Sequence, residues 1–276
     1  MGEKKAGNLP RTKIEPLATF KTPMFKSWPR MKAVPLTATT LKSIGGRVID
    51  TILPPMGLFP GLDPQLGWAD VTFIDDPCCA ACGFPFEFDM GDDALCGRCT
   101  SKRPRYRSAR SAFAYNDASR SVVLAFKHGG RTEALSMFAR QMRRAGRDGL
   151  SKADVIIPVP LHYSRLTQRR YNQSAILAGA IAKLCRLPVD THSLTRARAT
   201  KTQGGLSYSG RRRNVRGAFR LSPKASVGGK TVVLIDDVFT TGATLEACTQ
   251  CLYKGGAKSV HALTLARVVK GAALPT

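Results

Sequence analysis

Asp236 and Asp237 stand side by side between an apolar run, Val232-Val-Leu-Ile235, and a short polar loop, Thr240-Thr-Gly-Ala-Thr244. The run has the length and branching of a parallel strand buried on both faces, which places the two carboxylates where that strand leaves its sheet. Ligands of open α/β sheets bind at that end. Thr240, Thr241, Gly242, Ala243 and Thr244 put small and hydroxyl side chains in the loop, and Leu245 to Tyr253 continue with helical character. Backbone N–H groups at such a helix start, with threonine hydroxyls beside them, favour a phosphate. Carboxylates accept hydrogen bonds from vicinal hydroxyls, so one continuous segment suits a ribose and its 5′-phosphate. A buried strand ending in an Asp-rich turn and a capped helix is the alternative that requires no ligand.

A second constellation is made of thiols. Cys79-x2-Cys82 and Cys96-x2-Cys99 form two knuckles separated by thirteen residues. Each knuckle lets two thiolates converge from a tight turn, and together they supply the closed tetrahedral sulfur shell that structural zinc prefers. Iron in a tetrathiolate site and a redox dithiol are the chemical rivals. Gly83 and Gly97 each follow a knuckle cysteine and are expected in turns with positive φ. Cys78 is spare and could substitute for Cys79, whereas Cys185, Cys248 and Cys251 fall in helical or apolar surroundings and are expected to pack as small hydrophobes.

The third constellation follows the apolar run Val155-Ile-Ile-Pro-Val-Pro160, where Arg165, Arg169 and Arg170 come in quick succession. Planar guanidinium donors after a strand suit pyrophosphate oxygens. A rigid proline connection followed by a solvated basic helix is the alternative. Residues 194–219 are long, basic and glycine-containing, as expected of a mobile cover over an anionic substrate; a surface loop plus a basic helix, or a nucleic-acid-binding loop, fits the same composition.

The elements that must hold these groups alternate along the chain. Strands are expected at Ser111–Tyr115, Asp154–Val159, Val232–Ile235 and Ser259–Leu265, with helices at Ala118–Lys127, Glu133–Arg147, Asn172–Leu184 and Ala243–Tyr253. That βαβα succession predicts an α/β domain with a mainly parallel sheet flanked by helices. Ser222 to Lys230 reads as a loop. We divide the chain into a basic, disordered leader (1–40), a short helix and linker (41–66), a cysteine module (67–105) and the α/β domain (106–276). An over-extended start or an organelle-targeting peptide are alternative readings of the first thirty residues, the latter opposed by Glu3 and Glu15.

The 276 residues carry 43 Lys and Arg against 19 Asp and Glu, a formal charge of +24. A small anionic ligand engages only a few cations, so DNA or RNA is one expected partner and plain basic surface the other explanation. No stretch approaches the roughly 20 uncharged apolar residues of a membrane span, and no secretory signal is present. The expected location is cytoplasmic.

The segment Val232 to Thr244 resembles the 5-phosphoribosyl-1-pyrophosphate (PRPP) motif of type I phosphoribosyltransferases at every position. Joined to the cysteine knuckles, Pro158-Val-Pro-Leu-His162, Arg165-x3-Arg-Arg-Tyr-Asn-Gln173, Thr200-x2-Gln-x2-Leu206 and Arg211-x2-Asn-Val-x2-Ala-Phe219, it makes the chain similar to the ComF family, a double zinc ribbon fused to a type I phosphoribosyltransferase domain. Arg170-Tyr171 replaces the Gly-Phe common at that point, and the leader has no counterpart. The resemblance implies that Asp236 and Asp237 are the catalytic pair and hold the ribose hydroxyls, that Thr240 to Thr244 hold the phosphate, and that Mg²⁺ accompanies PRPP. It implies a glycosyltransferase-class transfer to an acceptor that no residue identifies. It also implies the competing reading of a non-catalytic accessory protein in competence and DNA uptake, with nucleic acid or a partner ATPase or helicase.

Overall fold

The computed structural model describes residues 71–129, 134–163, 166, 171–200 and 207–269. The expected leader (1–40), the short helix and linker (41–66) and the start of the cysteine module therefore lie outside the described residues. In chain order the elements are α1 (Gly97–Ser101), β1 (Ser108–Ala114), α2 (Asp117–Gly129), α3 (Leu135–Ala145), α4 (Arg147–Leu150), β2 (Val155–Pro158), α5 (Gln173–Cys185), β3 (Leu194–Arg196), α6 (Tyr208–Val215), β4 (Phe219–Leu221), β5 (Thr231–Phe239), α7 (Ala243–Lys254) and β6 (Ser259–Arg267). Four strands form a parallel sheet in the order β1-β6-β5-β2, and β3 pairs antiparallel with β4 in a separate ribbon.

Strand β5 is central, and its alternation sorts the core. Val232 and Leu234 pack with Leu245, Cys248 and Leu252 of α7 and with Phe219 of the ribbon. Val233 and Ile235 pack on the opposite side with Phe138 and Met142 of α3 and Leu177 and Ile181 of α5. Helices therefore cover both faces, which is why the parallel strands read as continuous apolar runs. Helix α3 follows its own amphipathic pattern: Phe138, Ala139 and Met142 are buried, whereas Arg140, Arg143 and Arg144 are exposed. Helix α5 begins where the Asn172 side chain accepts from Ser174 N at 3.1 Å and ends at Arg186, whose φ of 55° supplies a left-handed cap.

Three expectations need correction. Strand β5 does not stop at Ile235: it pairs with β2 only as far as Ile235 but with β6 as far as Phe239. β2 ends at Pro158, and neither Pro158 nor Pro160 has an amide hydrogen with which to extend the ladder. Residues 194–219 are not all loop, because their two ends pair as β3 and β4; the helix Tyr208–Val215 between them is the one the loop-plus-helix alternative expects. Gly97 does not take a positive φ, in contrast to Gly83 at 67°. It opens α1, in which Cys99 N and Thr100 N both donate to Cys96 O, so the second knuckle is a helical turn.

The cysteine segment is continuous with the α/β core. Cys79, Ala81, Cys82 and Cys99 share one hydrophobic cluster with Tyr106, Phe239 and Leu245. Ala109 N of β1 donates to Ala81 O at 2.8 Å, and Arg110 Nη1 reaches the carbonyls of Cys79 and Ala80. Gly83 faces the backbone of β1 so closely that a Cβ there would lie 2.5 Å from Ala109 O. Among the described residues no helix is long and apolar enough to cross a membrane.

Candidate functional site

Asp236 and Asp237 fall at the carboxyl end of the sheet on the β2 side, with β6 still bonded on the other. Helix α5 contributes to their placement. Ser174 Oγ donates to Asp236 Oδ1 at 3.1 Å, and Asp237 N donates to the same oxygen at 2.9 Å. Asn172 locks the entry to α5 by donating from Nδ2 to Val159 O at 3.1 Å, tying the helix start to the end of β2. Asp236 is thus oriented by a strand, a helix and its own neighbour. Ser174 was not singled out from the sequence; its place two residues beyond Asn172, in the first turn of a helix that follows a strand, is the signal that marks it.

Beyond β5 the chain turns through Thr240–Gly242 into α7. Gly242 is the N-cap, with φ 73°. A Cβ at this position would lie 2.9 Å from Phe239 Cζ and 3.3 Å from Tyr106 Oη. The loop therefore requires glycine twice over, for its left-handed backbone and for the space. Thr241 Oγ1 accepts from Ala243 N at 3.4 Å, and Glu246 N closes the first turn on Gly242 O at 2.9 Å. The amides at this helix start, the threonines and the acid pair lie within one strand–loop–helix unit, so a ribose 5-phosphate can be met by a single segment. Arg165, Arg169 and Arg170 lie outside the described residues. The departure at Tyr171 has a structural role: its hydroxyl donates to Phe126 O of α2 at 2.9 Å.

The thiols of Cys79, Cys82, Cys96 and Cys99 converge, with all four sulfurs within 4.8 Å of one another. Cys82 and Cys96 Sγ are 3.7 Å apart, close to the ~3.8 Å edge of a tetrahedron built on zinc–sulfur bonds of about 2.3 Å. Cys79 Sγ accepts from Cys82 N at 3.5 Å and Cys96 N at 3.3 Å. The Cys82 thiol and these amides hold the Cys79 pKa down to about 4 against its burial. Cys82, as the donor and a buried group, is pushed up, and burial takes Cys99 to about 12. An all-sulfur shell with amide donors aimed at it fits structural zinc. Cys78 turns elsewhere: its thiol donates to Asp76 Oδ1 at 3.3 Å, and burial raises it to about 11. Cys248 is fully buried in the core, and Cys185 and Cys251 pack against its edges.

Two arginines belong to this region that the sequence did not mark. Arg267, at the end of β6, is 3% exposed. It donates from Nη1 to Cys82 O at 2.5 Å, and its guanidinium lies 4.7 Å from the Phe239 ring centroid and 5.5 Å from that of Phe84. Arg98, between Cys96 and Cys99, donates from Nη2 to Thr241 O. A cleft at this seam is lined by Arg98, Lys102, Arg103, Arg212, Thr241 and Gly242 among others. Its signal in sequence is the basic content of the second knuckle and of the joint that follows it.

A parallel sheet with an acid pair and a threonine- and glycine-containing loop at its carboxyl end, joined to a four-cysteine cluster, defines a type I phosphoribosyltransferase fold with a cysteine module suited to zinc. The phosphoribosyl transferase domain family model matches residues 172–275. The DNA utilization protein YhgH of Escherichia coli K12 is 33% identical over 203 residues, covering 72% of this chain and 87% of that protein. Competence protein F of Haemophilus influenzae is 30% identical over 197 residues, covering 69% and 85%. The chain belongs to the ComF family of competence and DNA utilization proteins. Orotate phosphoribosyltransferase from Aeropyrum pernix is a similar solved structure at 16% identity and a TM-score of 0.33, covering 57% of this chain and 80% of that one.

Proposed function

We propose that this protein binds PRPP with Mg²⁺ at the carboxyl end of β5 and transfers its phosphoribosyl group to an acceptor, releasing pyrophosphate. The observation that carries the reading is the continuity of Asp236, Asp237 and Thr240–Thr244 in one strand–loop–helix unit. In this reading Thr240, Thr241, Gly242, Ala243 and Thr244 bind the 5′-phosphate and the acid pair binds the ribose hydroxyls. As the C1–pyrophosphate bond breaks, positive charge grows on the ribose, and a carboxylate beside it stabilises that charge. Mg²⁺ would supply charge neutralisation of the departing pyrophosphate, with Arg165, Arg169 and Arg170 as further donors. Zinc would be structural, held by Cys79, Cys82, Cys96 and Cys99 in a module spanning 67–105 and serving a transferase domain spanning 106–276.

The test is calorimetric titration of the protein with PRPP and Mg²⁺, followed by a nucleobase screen for pyrophosphate release. Saturable binding with turnover on one base is the expected result. No binding at millimolar PRPP would overturn the reading.

A second reading has its own support. The names of the relatives concern DNA utilization and competence, and the chain carries a +24 charge with Arg211, Arg212 and Arg213 in succession on α6. In that case the pocket binds PRPP without transfer and the basic surface binds nucleic acid. PRPP binding without turnover on any base, together with salt-sensitive DNA binding, is the outcome that selects it.

A further inference from the structure

We infer that the cysteine module is the back wall of the phosphate loop and that Arg98 is a positioning residue for that loop, so that metal held by the four cysteines sets the order of Thr240–Thr244. The inference rests on the reading of this loop as the phosphate site.

Three separate ties join the two regions. The first is Arg98. It sits within the helical turn that carries Cys96 and Cys99, so its backbone is fixed by the knuckle, and its guanidinium donates to Thr241 O in the middle of the loop. The second is Arg267. It donates to Cys82 O, lies 3.9 and 4.0 Å from Cys82 Sγ, and is stacked on Phe239, the residue immediately before the loop. Phe239 in turn lies against Gly242, as the 2.9 Å approach to a Cβ there shows. The third is the segment after the knuckles: Arg105 N donates to Glu246 Oε2 at 2.9 Å in the first turn of α7, and the buried Tyr106 hydroxyl faces Gly242.

The chemistry gives these ties a direction. A buried guanidinium is costly unless a negative group offsets it. Among the described residues no carboxylate forms an ion pair with Arg267, and its near neighbour is a cysteine sulfur that would carry negative charge once it holds a metal. Loading the metal therefore completes the setting of Arg267, of Phe239 stacked beneath it and of the glycine turn. Arg98 adds a direct pull on the loop's carbonyl, which turns the Thr241 peptide so that its oxygen faces the module. A preorganised loop binds more tightly because less ordering is left for the ligand to impose.

Hydrogen exchange on the full chain tests this, comparing three states: zinc-replete parent, chelator-stripped parent, and zinc-replete Arg98→Ala with its zinc content verified. The peptide covering 239–246 should exchange about tenfold faster in the second and third states, while α5 stays protected. Arg98→Lys should restore part of the protection. PRPP with Mg²⁺ should bind Arg98→Ala about five- to tenfold more weakly, again with partial recovery in Arg98→Lys. If stripping also exposes α5, the module is a global stabiliser and Arg98→Ala alone decides the matter. Parent-like exchange at 239–246 in zinc-replete Arg98→Ala would overturn the inference. Failure of the parent to bind PRPP would instead sink the functional reading and leave the exchange result standing.

Discussion

Asp236 accepts two hydrogen bonds on one oxygen, from Ser174 and from the Asp237 amide, and this arrangement sets what substitutions at the site should do. Asp237→Asn removes a charged acceptor while preserving shape, so PRPP affinity should fall about tenfold or more, read by calorimetry, with melting little changed. Unaltered binding in that variant would remove Asp237 from the site. Ser174→Ala should weaken PRPP binding by a smaller factor, about three- to fivefold, because it loosens Asp236 without removing its charge. Gly242→Ala differs in kind. A methyl group there meets Phe239 and Tyr106 and adopts a left-handed φ, which costs of order 1–2 kcal/mol in backbone strain alone. We expect both a lowered melting temperature and loss of PRPP binding; full retention of either would show that the loop can relax.

The joint between the cysteine segment and the sheet is set by Gly83, where a Cβ would run into the Ala109 carbonyl of β1 at 2.5 Å. Backbone cannot step aside as a flexible side chain can. Gly83→Ala should therefore destabilise by roughly 1–3 kcal/mol in denaturant unfolding and lower zinc retention, since the first knuckle moves with it. On the opposite strand of the same β1–β6 pair, His261 accepts or donates at Nδ1 to Ser108 Oγ at 2.8 Å. Its burial, then the positive charges of Lys152, Arg107 and Arg110, hold its pKa below the ordinary 6.5, with Asp148 opposing. The unfolded chain thus takes up this proton first as pH falls, so stability is retained above about 6.5 and declines below it. His261→Gln should flatten the acid limb of the melting temperature against pH, and a limb as steep as the parent's would acquit this residue. The elements with strong periodicity were legible in sequence. The β3–β4 ribbon was not: three residues per strand carry no usable alternation, and twenty-two residues separate its halves.

For the molecule as a whole, charge and metal make separate predictions. Replacing Arg211, Arg212 and Arg213 by alanine should reduce the salt slope of any DNA affinity by about 2–3 in log–log terms, as expected if each arginine neutralises one phosphate. Binding indifferent to salt in the parent would dismiss a nucleic-acid role for the +24 charge. The sequence by itself determined the parallel α/β fold, the family, the four-sulfur set and the candidate acid pair with its loop. These are encoded locally, in strand-length apolar runs, knuckle spacing and a contiguous motif, so neighbouring residues suffice to read them. Only the tertiary structure decided how the parts meet. Ser174 reaches Asp236 across 62 positions, Arg98 reaches Thr241 across 143, and Arg267 reaches Cys82 across 185. Such contacts leave no periodic trace in the chain, because they arise only when separate segments are packed against the same sheet end. The segment that reads in sequence as a separate cysteine module packs, once folded, in one cluster with Tyr106, Phe239 and Leu245, beside the Thr240–Thr244 loop.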